Sequence, residues 1–139
     1  MEYKKYSQKI IVRLDRGDEI VSSLKTLAAK EKITFACVSG IGAVGRVKAG
    51  YFDTKEKCFK SFDLTGDLEV VSFAGNINIM DRETYTHFHI SVADESGKVY
   101  GGHLSSAVIS GTGEFVVDCI DAAVGRVFDD ETGLNIFRL

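Results

Sequence analysis

The chain has 139 residues, 45% apolar and 27% charged, with 17 basic side chains against 20 acidic ones. That is an ordinary globular balance and excludes a disordered tail or a fibrous repeat. A formal charge of −3 with scattered lysines also argues against a surface built for nucleic acid, whose phosphates demand clustered Lys and Arg.

The first residues, Met1 to Tyr6, lead only to the short apolar run Ile10-Ile11-Val12. They lack the apolar stretch and small-residue cleavage site of a secretory signal. Lys9 to Leu14 alternates as a short strand. From Glu19 to Lys30, Ile20, Val21, Leu24, Leu27 and Ala28 form one stripe of a 3.6-residue period, which predicts a helix. Asp15 or Asp18 is expected to cap it, and Lys30 and Lys32 suit its C-terminal end. Ile33 to Ser39 reads as a buried strand. Val47–Asp53 and Cys58–Leu64 read as a hairpin, and Leu68 to Met80 as a long strand with Gly75 marking a bulge or a close approach. Thr84–Ala93 and Lys98–Leu104 form a second hairpin, and Glu114–Ile120, Arg126–Phe128 and Leu134–Phe137 complete the strands. Proline is absent, so Gly, Asn and Asp must supply the turns. With no linker or repeat to divide it, residues 1–139 read as one α+β domain, a mostly antiparallel sheet with one main helix near the N-terminus.

No apolar run approaches the roughly 20 residues needed to span a bilayer, so no membrane association is expected. Cys37, Cys58 and Cys119 are odd in number and contain no Cys-x-x-Cys pair. They argue for a reducing, cytoplasmic compartment, with Cys37 and Cys119 expected to pack as small hydrophobes. Gly40-Ile41-Gly42-Ala43-Val44-Gly45 matches the G-x-G-x-x-G of dinucleotide sites, but Arg46 to Asp53 lacks the helical stripe that must follow. A bulged, tightly turned strand connection is expected there, and no nucleotide cofactor.

All three histidines of the chain lie between His87 and His103. His87 and His89 are two apart on a strand, so both imidazoles leave the same face. Asp94 to Lys98 has the form of a three-residue hairpin loop with Gly97 in the left-handed position. If Asp94 pairs with Lys98, Val92 faces Tyr100, Phe88 faces Leu104, and His89 stands directly opposite His103. A slip of one residue would send His103 to the other face. Three converging imidazoles suit a divalent metal, zinc first, with a fourth position open to water, an anion or a small ligand. Such an ion could lower the pKa of bound water and so permit hydrolytic or hydration chemistry. Glu83, Asp94 and Glu114 are general-base candidates by composition only. Gly101-Gly102, just before His103, leaves room for a backbone, a ligand or a subunit to approach the sheet.

These motifs resemble the PPC family, the domain conserved in plants and prokaryotes. Thr86-His87-Phe88-His89-Ile90-Ser91, the Asp94-Glu95-Ser96-Gly97 turn and Tyr100-Gly101-Gly102-His103-Leu104 are similar to its H-x-H…G-G-H-L signature. Ser39-Gly40-Ile41-Gly42-Ala43-Val44 is similar to its S-G-I-G segment, and Gly66 to Asn76 to its G-x-F-E-I-L-S-x-x-G stretch. The similarity runs from about Lys9 to Phe137. It implies an α+β domain with a large antiparallel sheet, assembled as a homotrimer, with His87, His89 and His103 at the positions that bind metal in some prokaryotic members. Many prokaryotic members carry a provisional DNA-binding name, and plant members carry AT-hooks beside the domain. Without proline this chain cannot hold the Arg-Gly-Arg-Pro core of an AT-hook. Met80 to Thr84 also replaces the usual Gly/Pro-containing lead-in to the H-x-H strand.

Overall fold

Alternating apolar residues fold as antiparallel strands, and the one 3.6-residue stripe folds as the helix. The computed structural model describes residues 1–139. The elements are β1 (Glu2–Tyr6), β2 (Lys9–Leu14), α1 (Ile20–Glu31), β3 (Phe35–Asp53), β4 (Cys58–Met80), β5 (Glu83–Ala93), β6 (Val99–Cys119), β7 (Gly125–Asp129) and β8 (Leu134–Arg138). Six strands form one sheet in the order β1-β2-β6-β3-β4-β5, and β5 pairs again with β6 so that the sheet closes on itself. Strands β7 and β8 form a separate hairpin. The class is α+β, dominated by strand.

The central strands bury alternate residues inward. In β2, Ile10, Val12 and Leu14 are buried while Lys9, Ile11 and Arg13 face out. Phe73 packs between Phe88 and Phe115, each at a ring-centroid distance of 5.0 Å. The helix adds Ile20, Leu24, Leu27 and Ala28 to the same core. It ends where Lys32 turns left-handed and its backbone N–H donates to the carbonyls of Ala28 and Ala29.

The helix start differs from expectation. Its cap is Glu19, whose carboxylate accepts from Val21 N at 3.0 Å and Ser22 N at 2.7 Å. One edge of β6 pairs with β5 through residues 99–103 and with β2 through residues 113–118, leaving a gap between them. Residues 17–19 fill that gap: Glu19 Oε1 accepts from Ala107 N at 3.0 Å, and Asp18 O accepts from Ile109 N at 2.9 Å. Glu19 is the residue that can serve the helix and the strand edge together. Asp18 supplies its backbone carbonyl to Ile109, and its carboxylate accepts from Asp15 N and lies beside the N-terminal ammonium.

The long strands also differ. Residues 33–53 do not turn back at the glycines; β3 runs unbroken from Phe35 to Asp53, with register shifts at Gly40/Gly42 and Val44/Arg46. The bulge was expected and is present, whereas the tight turn is not. Residues 58–80 and 99–119 are likewise continuous, and β1 was not foreseen at all. Cys37 stands exposed on the outer face of β3, because Ala36 and Val38 take the inward positions; Cys119 is half-buried and Cys58 exposed.

Candidate metal centre

The Asp94–Lys98 turn sets the register that builds the site. Gly97 is left-handed at φ 78°, Asp94 N donates to Lys98 O at 3.0 Å, and Asp94 Oδ1 accepts from Ser96 N and Lys98 N. Val92 consequently faces Tyr100, and His89 faces His103. The β5–β6 pairing ends at that histidine pair. Phe88 therefore does not meet Leu104, which pairs with Ala49 of β3 as β6 bends away.

The ligand atoms of His87, His89 and His103 lie within 4.8 Å of one another. Ring centroids are 5.1 Å apart for His87–His89 and for His87–His103, and 5.7 Å for His89–His103. His87 Nε2 and His89 Nε2 approach to 3.2 Å. Two nitrogens each about 2.0–2.1 Å from a tetrahedral zinc would be about 3.3–3.4 Å apart, so this edge already has the dimension the ion requires. His89 is exposed and the other two rings are half-buried. Burial pushes the His87 imidazole down to about 4, helped by the charges of His103, Arg126 and His89. Burial, with the charge of His89, also lowers His103. Both rings are thus neutral near pH 7, the state that offers a lone pair to a cation. The three histidines fit a metal ion.

Glycines make the convergence sterically feasible. A Cβ at Gly102 would come within 2.3 Å of Gly50 O, and one at Gly75 within 2.0 Å of the His87 carbonyl. A side chain at Gly102 would push β6 away from β3, and one at Gly75 would push β4 away from β5. The expected close approach at Gly75 and Gly101-Gly102 is present; the bulge between β4 and β5 falls instead at Val70/Ser72.

The three rings open into a cavity of about 850 Å³, walled by Phe59, Tyr85, Phe137 and the strand termini around them. Glu83, Asp94 and Glu114 do not line it. Asp94 is committed to its turn, and Glu114 lines a groove elsewhere on the sheet. One charged lining residue was missed by sequence reasoning: Arg126 of β7 enters this cavity. Its Nε donates to Asn78 Oδ1 at 3.0 Å, Nη1 to Asn135 O at 2.6 Å and Nη2 to Asn76 Oδ1 at 2.7 Å. Asn76-Ile77-Asn78, two amides at alternate positions near the apolar end of β4, was the available signal, since amides on a core-facing strand need a polar partner.

An antiparallel sheet closed on itself, one helix across its open edge, and three histidines on the closing hairpin define a single-helix β-sheet domain with a candidate metal centre. The chain belongs to the Plants and Prokaryotes Conserved (PCC) domain family, whose pattern matches residues 1–121. Solved structures agree with that assignment. A Bacteroides thetaiotaomicron protein carrying a provisional DNA-binding name is 33% identical with a TM-score of 0.95, covering 99% of this chain and 96% of its own. The metal-containing protein of Archaeoglobus fulgidus is 31% identical with a TM-score of 0.88, covering 100% and 99%. A plant- and prokaryote-conserved protein of Pyrococcus horikoshii is 28% identical with a TM-score of 0.86, covering 99% and 94%. No curated protein matches the chain. No helix is long and apolar enough to cross a membrane.

Proposed function

We propose that the chain binds a divalent metal ion, zinc by its donor set, through His87, His89 and His103. The observation that carries the reading is the 3.2 Å approach of two Nε2 atoms beside a third imidazole, with no carboxylate of this chain in the cavity to neutralise or bridge them. The family relationship to a metal-containing protein supports it. When bound, the ion would supply a Lewis-acidic position open to an anion or small ligand. The cavity holds no Asp or Glu to serve as a general base, so ligand binding is the favoured role over hydrolysis. Metal analysis of protein made without a histidine tag tests it. The expected result is roughly one zinc per chain, falling to under about a tenth in His89→Ala. Retention by that variant, or no metal in the parent, overturns it.

The assembly in this reading is a homotrimer in the cytoplasm. Ile11 (47% exposed), Ile41 (57%), Val71 (52%) and Val116 (37%) line one groove on the outer sheet face. An apolar patch of this kind on a small domain is characteristic of a contact surface. Light scattering is expected to give the mass of three chains, reduced to one by Ile41→Asp; a monomeric parent refutes the trimer.

A second reading is DNA binding, favoured by the name that the Bacteroides relative carries. It requires affinity for duplex DNA that falls steeply between low and physiological salt. Absence of binding at low salt excludes it.

A further inference from the structure

Arg126 is a cation without a counter-ion. It makes no salt bridge, and no Asp or Glu lines the cavity it shares with the three histidines. Its three protein partners are neutral: two amide oxygens and one backbone carbonyl. Those bonds use three of the five guanidinium N–H groups, leaving one on each terminal nitrogen. The guanidinium carbon lies 4.6 Å from the Tyr85 ring centroid and 4.5 Å from that of Phe137. Side chains from β4, β5 and β8 therefore fix the orientation of a half-buried positive charge that nothing in the chain neutralises.

Even a half-buried, oriented and unpaired guanidinium is costly unless something compensates it, and Lys or Arg at an ordinary surface position needs no such cradle. Neutral partners hold Arg126 while preserving its full charge for a ligand. The tie to the histidines is direct: Asn76, which accepts from Arg126, is the cross-strand neighbour of His87. The remaining wall is aromatic and aliphatic, with Phe59 packed edge-on against His103 at 5.6 Å and Leu134, Ile136 and Phe137 contributed by the C-terminal hairpin. An inorganic anion has no use for that apolar wall, whereas an organic acid does. The volume of about 850 Å³ lies within the range of small-molecule sites.

We infer that Arg126 recognises the carboxylate of a small organic acid whose apolar body lies against Phe59 and Phe137 in the histidine cavity. The ligand class is a carboxylate with an aromatic or aliphatic body, and Arg126, Asn76 and Asn78 form its anion-recognition end. The inference deepens the metal reading and rests on it for the second anchor, an open metal position facing the same space. Arg126 lies beyond residues 1–121 that match the family pattern, while the solved relatives cover 99% or more of this chain, its C-terminal hairpin included.

Calorimetric titration of the full-length, untagged protein with phenylacetate tests it, with phenylacetamide and inorganic phosphate as comparison probes. Zinc-loaded and zinc-free protein are titrated in parallel, and zinc content is measured on the same samples. Two variants are used. Arg126→Gln removes the charge, and Asn76→Asp leaves Arg126 in place but sets a carboxylate against its Nη2. Thermal melts establish that each variant is folded. The expected result is phenylacetate binding that weakens roughly tenfold or more in both variants, and no comparable binding of the amide or of phosphate. Absence of binding to the parent, equal binding in both folded variants, or an amide or phosphate that matches phenylacetate overturns the inference. Loss of the metal reading appears separately, as protein that retains no zinc. The zinc-free titrations then decide alone, a tenfold gap between parent and variants upholding Arg126 and its absence refuting it.

Discussion

Two glycine-rich segments lie at different places on the neighbouring strands β3 and β6, and only one of them belongs to the candidate site. In β3, Gly40-Ile41-Gly42 lets the strand kink under Phe115 and past Thr112: a Cβ at Gly40 would meet the Phe115 ring at 2.2 Å, and one at Gly42 the Thr112 carbonyl at 2.4 Å. In β6, Gly101-Gly102 lets β5 and β3 close in on either side, and His103 follows at once. The backbone consequence is the same in both, close approach of chain to chain. The difference lies in the neighbours. The first segment is surrounded by exposed Ile11, Ile41 and Val71, the second by imidazoles, amides and a guanidinium. Glycine provides proximity; the side chains beside it decide what that proximity is used for.

The strongest attack on this comparison is at the roof of the first segment. Phe115→Ala empties a site that is 1% exposed and is expected to cost about 3–5 kcal/mol by denaturant unfolding, while leaving the histidine register intact. In the second segment, Gly102→Ala forces a methyl against Gly50 O and is expected to cost about 2–3 kcal/mol. Gly45→Ala is its control. A Cβ there meets nothing nearer than 3.4 Å, so the change should stay within about 0.5 kcal/mol. Equal costs for these two glycines would dissolve the distinction between constrained and permissive positions.

Glu19→Ala tests the joint between helix and sheet. It strips the cap from α1 and the partner from Ala107 N together, and about 1–2 kcal/mol should be lost, with Glu19→Gln recovering part of it.

The metal-free protein should also show a pH drift. His87 is neutral in the fold down to about pH 4, while an unfolded histidine takes its proton near 6.5. Between those values the unfolded chain binds more protons, so stability is greatest above about pH 6.5 and declines as pH falls towards 4. Thermal melts of His87→Gln should lose part of that dependence; an unchanged profile would remove His87 from the account.

Local chemistry was readable wherever a short pattern specified one geometry. The 3.6-residue stripe of α1 and the Asp94–Gly97 turn, with the His89–His103 pairing it enforces, follow from neighbouring residues alone. What escaped depended on distant partners. Glu19 caps the helix because the open edge of β6 needs an acceptor at Ala107, a demand raised 88 positions away. Strand β3 continues through its glycines because β4 and β6 pair with it on both sides. Cys37 is exposed because alternation from Ala36 and Val38 assigns it outward, a parity that an apolar run does not reveal. Arg126 meets the histidines only because the last hairpin folds back over β4, bringing together residues 50 positions apart.

X-ray absorption at the zinc edge of untagged protein examines the proposed centre at its source. Zinc held by His87, His89 and His103 gives coordination dominated by three imidazole nitrogens at about 2.0–2.1 Å, lost in His89→Ala. A shell of oxygen or sulfur alone, or a spectrum that the substitution leaves unchanged, would contradict it.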